Sequence, residues 1–222
     1  MDERFPRSAA AFFRDLRSHN DRSWWLANKD RFERVVAAPV AALVADLERE
    51  FGPIHRFRPY RDVRFSPDKR PYQEHTSFAV DRPGGVLYAQ LGADDLLVAG
   101  GRWQPSPAEL SAFRRLVDDP RSAEAVEAAL DEMSDAGLHP DDEAVLRTAP
   151  RGYPRDHPRI DLLRRTRLSV RATVDVDELD GTAEVAEVIG RLWRSADRWN
   201  AWLHHNVPAL PDGLEGRSRR HD

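Results

Sequence analysis

Apolar residues recur at helical spacing through the first fifty positions. Ala9, Phe12, Phe13 and Leu16 line one side of a first predicted helix, with Ser8 as its N-cap. Asn20-Asp21 breaks that helix and caps a second, in which Trp24, Trp25, Asn28, Phe32, Val35 and Val36 keep the period. Pro39 kinks this helix or opens a new one, whose stripe runs through Val40, Leu43, Val44, Leu47 and Phe51 to the stop at Gly52-Pro53. The pattern then changes to period two. Phe57, Val63 and Phe65 share one parity, and Arg58, Tyr60, Asp62 and Arg64 the other, which predicts a half-buried strand bent or at an edge near Pro59. Thr76–Asp81, Val86–Leu91 and Asp95–Ala99 read as short strands, with turns at Gly84-Gly85 and Gly92-Ala93-Asp94. Such closely spaced strands make an antiparallel meander.

The second half returns to helical spacing. In Ser106-Pro107-Ala108-Glu109, serine caps, proline takes the first helical position and glutamate reaches back to close a capping box. A further helix starts at Asp119-Pro120 and stops at Gly137. A polar, proline-rich loop follows from His139 to Arg159, then a strand over Leu168–Val176 and a long amphipathic helix over Thr182–Val207. The expected fold is α+β. It is a single domain over residues 1–207, with an antiparallel sheet of about five strands packed against N-terminal helices and a long C-terminal helix. Residues 208–222, rich in Gly, Pro and Arg, read as a disordered tail.

Composition narrows the chemistry. The 222 residues suffice for one full core, and the formal net charge of −4 gives no chain-wide basic field for nucleic acid. With no cysteine, disulfides, thiolate catalysis and cysteine-ligated zinc are excluded. The N-terminus carries Asp2, Glu3, Arg4 and Arg7 and no apolar h-region, so no signal peptide is expected. The apolar run Val35–Ala45 is too short for a bilayer and holds Pro39, so the cytoplasm is the expected location, without a membrane partner. Of 34 basic residues only Lys29 and Lys69 are lysine, which reads either as two positions where an ammonium is needed and a guanidinium is not equivalent or as chance survival in an arginine-biased chain.

Three segments concentrate candidate chemistry. In the first, Arg58–Tyr72, a strand delivers Arg61, Asp62 and Arg64, and a Ser66-Pro67-Asp68 turn exposes Lys69 and Arg70. Guanidinium forks suit phosphate or carboxylate, and Tyr60 and Tyr72 can stack on a base or sugar. Against this stands a surface strand with weak Arg–Asp pairs. The second segment, Arg147–Arg159, holds Arg151, Tyr153, Arg155 and Asp156-His157. His157 can serve as an acid or base beside Asp156, although a cap on a short helix beginning at Pro158 is the simpler reading. Convergence of the two basic segments on one anion-binding cleft is the functional expectation. The third, Gly100-Gly101-Arg102-Trp103, suggests either a phosphate at a helix N-terminus or, better, a close backbone approach. No metal signature or cofactor motif stands out, and the tryptophans read as core, with Trp25 and Trp202 outside the stripes.

Four stretches carry a resemblance: Asn20-Asp-Arg-Ser-Trp-Trp-Leu-Ala-Asn-Lys29, Tyr60-Arg-Asp-Val-Arg-Phe-Ser-Pro-Asp-Lys-Arg-Pro-Tyr72, Ala99-Gly-Gly-Arg-Trp-Gln-Pro105 and Ala149-Pro-Arg-Gly-Tyr-Pro-Arg-Asp-His-Pro158. On these the chain resembles the bacterial and fungal family called domain of unknown function 2461. The resemblance implies one domain and transfers no catalytic residue. It also implies a lysine after Pro71-Tyr72, where this chain has Gln73. The sequence thus points to a site formed by Arg61, Asp62, Arg64, Lys69, Arg70, Tyr72, Arg151, Tyr153 and His157. Its expected partner is a phosphorylated small molecule or a nucleotide, with nucleic acid left open. The alternative is a non-catalytic module whose basic face docks an acidic protein. Whether a reaction follows binding is left open.

Overall fold

The structure, a computed structural model, describes residues 4–62, 64 and 68–208. Pro6 and Asp21 set the first helices. Helix α1 (Arg7–Ser18) begins one residue before Ser8, with Pro6 in the cap position, and Ser8 is buried inside the first turn. The expected serine cap is replaced because the fixed φ of proline starts the helix earlier. Asp21 caps α2 (Arg22–Phe32) as read, accepting from the amides of Ser23 and Trp24 at 2.8 and 2.9 Å. A π-helical turn, Glu33–Ala37, precedes α3 (Ala38–Phe51). It lies where Pro39 withdraws an amide from the α-helical ladder.

Among the described residues there are six strands, β1 (His55–Arg56), β2 (Thr76–Arg82), β3 (Gly85–Leu91), β4 (Asp95–Arg102), β5 (His139–Pro140) and β6 (Leu168–Asp175). They form one sheet in the order β1-β2-β3-β4-β6-β5, antiparallel throughout. The meander is as expected. The two strands that were not foreseen, β1 and β5, are two residues each and lie at the edges. The strand predicted over Phe57–Phe65 does not form among the described residues. The Phe57 amide still donates to Ser77 O at 3.0 Å, but then Pro59 turns the chain away, and a single bridge, Tyr60 to Tyr72, remains. Val63 and Phe65 lie outside the described residues.

Alternation sorts the sheet into two faces. In register, Phe78, Ala89 and Val98 point to one side and are buried, as are Val80, Leu87 and Val170. The other face carries Ala79, Tyr88, Gln90, Leu97, Ala99 and Arg171, all half-buried. The long helix α7 (Thr182–Asn206) packs on the buried face, and α3 and α5 (Pro120–Asp135) pack against α7. Its tryptophans are tied to the sheet as well as buried: Trp193 Nε1 donates to Tyr88 O at 3.1 Å and Trp199 Nε1 to Leu168 O at 3.0 Å. Trp25, expected outside the helical stripe, is buried against Phe12 and Phe32, while Trp202 is half-buried and stacks on Trp199. Helix α4 (Pro107–Asp118) has the predicted capping box at Ser106 and Glu109, and Gly137, at φ 83°, follows the end of α5. A short α6 (Ile160–Leu163) completes a single α+β domain. Among the described residues no helix is long and apolar enough to cross a membrane. The tail from Ala209 onward lies outside them.

Candidate functional site

Between β1 and β2 the chain makes an arch. Its base is closed by two backbone hydrogen bonds, Arg61 N to Pro71 O at 2.9 Å and Gln73 N to Pro59 O at 2.7 Å, which together make the Tyr60–Tyr72 bridge. The α1–α2 corner holds it from outside. The Asn20 carboxamide donates to Tyr72 O at 3.0 Å and accepts from Tyr72 N at 3.1 Å. Trp25 stacks on Tyr72, with ring centres 4.3 Å apart and 10° between planes. The first two motif stretches are therefore physical partners.

The arginines of the arch are answered by its own carboxylates. Arg61 donates to Asp68 at 2.7 Å, and Arg70 forks onto the same carboxylate at 3.0 and 2.7 Å and also pairs with Glu74. These bonds, the one from Arg70 foremost, hold the Asp68 carboxyl well below the usual carboxylate range. Arg64 pairs with Asp62 at 2.7 Å and is largely exposed. Lys69 is exposed, as is Lys29 on α2. Ser66 and Pro67 of the predicted turn lie outside the described residues.

A cavity of about 220 Å³ opens beside the base of this arch, at the sheet edge. Phe32, Phe57 and Pro59 supply its apolar wall. Arg58, Gln73, His75, Ser77 and Tyr88 bring polar groups to it. Gln73, the position where the resemblance implies a lysine, is thus a lining residue. The His75 imidazole is held below its ordinary pKa, first by burial and then by the neighbouring Arg61 charge, so it is neutral at pH 7. Burial raises the Tyr88 phenol, whose hydroxyl donates to Gln90 Oε1 at 2.8 Å. Sequence reading did not single out His75, Ser77 or Tyr88 for this cavity. Ser77 and Tyr88 look like ordinary strand residues and His75 like the residue before a strand, and only the pairing of β1 with β2 brings Phe57 and Arg58 over them.

The second basic segment sits elsewhere. It hangs from the opposite edge of the sheet, where Val145 bridges Arg165. The two edges are separated by five inter-strand spacings, roughly 24 Å. Arg159 forks onto Glu127 of α5 at 2.7 and 3.2 Å. His157 takes the Arg159 amide on Nδ1 at 3.0 Å and turns Nε2 to Asp118 at 3.3 Å, so it fastens the start of α6 to α4. Tyr153 packs on the core, and Arg151, Arg155 and Asp156 are exposed. Arg61, Arg70 and Tyr72 are brought together; Arg151, Tyr153 and His157 form a separate group.

The third segment is architecture. A Cβ on Gly100 would meet Ala196 Cβ at 2.6 Å, so α7 lies directly on this strand. Gly101, at φ 117°, would meet Leu168 O at 2.2 Å. Arg102 is buried and donates to Glu109 at 2.8 Å, to Gly84 O at 2.8 Å and to Leu203 O at 3.4 Å. One guanidinium thereby joins β4, the β2–β3 turn, α4 and α7. The close-approach reading of this segment accounts for its glycines.

No curated protein and no solved structure matches the chain. A family model does, over residues 8–202 of 222, and its description is "Conserved hypothetical protein (DUF2461)". The match includes every motif stretch, the arch, the cavity and Arg102, and the chain belongs to that family.

Proposed function

We propose that the protein binds a small anionic ligand in the cavity beside the arginine-rich arch. The carrying observation is the lining, in which the guanidinium of Arg58 and the hydrogen-bonding groups of Gln73, His75, Ser77 and Tyr88 converge beside Phe32, Phe57 and Pro59. An anion there meets a guanidinium and a set of donors on a partly apolar wall, the usual make-up of a small-molecule site. In the arch, Asp62, Asp68 and Glu74 pair with Arg64, Arg61 and Arg70. The same pairing weakens the reading of a flat basic face for an acidic protein. The arch instead serves as the frame that fixes Pro59 and Gln73 at the cavity mouth. Thermal denaturation with small carboxylates, phosphate esters and their uncharged isosteres tests the proposal. A ligand at a hundred times its dissociation constant stabilises by about 2.7 kcal/mol. Stabilisation by anions that disappears in Arg58→Ala is the expected result, and equal response to charged and uncharged probes defeats it.

A further inference from the structure

We propose that the ligand of this cavity is a nucleotide whose base lies against the aromatic wall and is read by Gln73 and His75; this rests on the anion-binding reading above, with the phosphate as the anion. Unused hydrogen-bonding capacity is the first argument. None of the hydrogen bonds among the described residues employs the Gln73 carboxamide or the His75 imidazole, although both residues line the cavity. The Tyr88 hydroxyl, in contrast, is engaged by Gln90 and Ser77. A carboxamide offers donors and an acceptor in one plane, and a neutral imidazole offers one of each. His75 is kept neutral by burial and by the charge of Arg61. The edge of a nucleobase presents a matching set of acceptors and donors, and a glutamine can meet adenine with two bonds at once.

The wall is the second argument. Phe32, Phe57 and Tyr88 bring aromatic rings from three separate places in the fold: α2, the chain just after β1, and β3. Bases stack on such rings whatever their identity. A sugar carries hydroxyls around its whole ring, and those turned to Phe32, Phe57 and Pro59 would lose water without gaining a partner. A base has a bare face for that wall and a polar edge for Gln73 and His75, so it uses both halves of the lining. The cavity opens at the sheet edge, which leaves ribose and phosphate free to extend toward solvent while the base is held.

Isothermal titration of the full chain with the adenosine, guanosine, cytidine and uridine 5′-monophosphates, their nucleosides and ribose 5-phosphate tests this, repeated on Gln73→Ala and His75→Ala. The Gln73 side chain makes no hydrogen bond within the described fold, so its variant should melt as the wild type does. The expected result is that at least one nucleotide binds about tenfold or more tighter than ribose 5-phosphate, as stacking of a base requires. That preference should fall about tenfold in each variant, while ribose 5-phosphate binds all three proteins alike. Ribose 5-phosphate equal to every nucleotide, or a preference untouched in both variants, overturns the nucleobase and leaves the anion reading standing. The same follows if no nucleotide binds while small anions still stabilise the chain against heat. A nucleoside as tight as its nucleotide overturns the anion reading instead, and no response to nucleotides or to small anions overturns both.

Discussion

The two arginine-rich segments look alike in composition and differ in what their guanidiniums hold. In the arch the partners are carboxylates a few residues away: Asp62 for Arg64, and Asp68 and Glu74 for Arg70. Within the other segment Arg159 holds the Glu127 carboxylate of α5, and around it the arginines that flank the loop hold distant backbone and buried groups. Arg114 donates to Leu163 O at 2.9 Å and Arg165 O at 3.3 Å, Arg165 to Asp141 O at 2.9 Å, and Arg164 to Leu146 O. Arg167 pairs with Asp141, which is 1% exposed, at 2.9 Å, while its guanidinium lies over the Trp103 ring at 3.3 Å. The first segment is a local exchange of surface charge beside a cavity. The second is a set of staples that fixes a loop lacking regular structure. Arginine density alone does not separate recognition from architecture; the identity and sequence distance of the partner does.

The largest contrast is in stability. Arg167→Ala strands a buried carboxylate and should cost about 3–5 kcal/mol in urea unfolding. Arg70→Ala removes exposed pairs and should cost no more than about 1 kcal/mol. Equal losses would erase the distinction between staple and surface exchange. A second test acts on the cavity. Gln73→Lys places another cation in the lining and should tighten binding of phenyl phosphate about tenfold, or 1.4 kcal/mol, by titration calorimetry. An unchanged affinity would detach Gln73 from the ligand.

A smaller effect concerns pH. His75 has a folded pKa below its ordinary value of about 6.5, so just below that pH the unfolded chain holds a proton that the folded chain does not. Stability contributed by neutral His75 is therefore present above pH ~6.5 and declines as the pH falls from there to the lower folded pKa. His75→Gln should flatten that part of the stability profile in urea titrations at a series of pH values, and an unaltered slope would place the imidazole in solvent. The smallest effect is expected at Arg64→Ala, within about 0.5 kcal/mol of wild type in thermal unfolding. A larger loss would mean that the exposed Asp62 pair supports the arch.

Local chemistry made most of the fold legible. Asp21, Ser106-Pro107-Ala108-Glu109 and Gly137 act on their own neighbours, and they stand where the sequence puts them. The strands from Thr76 to Arg102 announce themselves by alternation and glycine turns. What escaped depends on distant partners. β5 is two residues, one of them Pro140, and exists because His139 and Pro140 meet Arg171 and Val170. The arch residues alternate like a strand, but Pro59 and the Asn20 side chain direct them off the sheet. Arg102 reads as one more arginine until Gly84, Glu109 and Leu203 surround it. The arginine motif was visible in sequence, but the cavity beside it was not, because its walls come from α2, the end of β1 and two neighbouring strands.

The pairing of Asn20 with Tyr72 has a consequence for the timing of motion. A side-chain amide here replaces an adjacent strand, so the Tyr72 peptide is secured by the corner between two helices. In hydrogen exchange its amide should therefore open with that corner, not with the central ladder of β2, β3 and β4. A local excursion of the corner would release the arch and alter the mouth of the cavity while the sheet stays closed, so that access from solvent could change without any unfolding of the core.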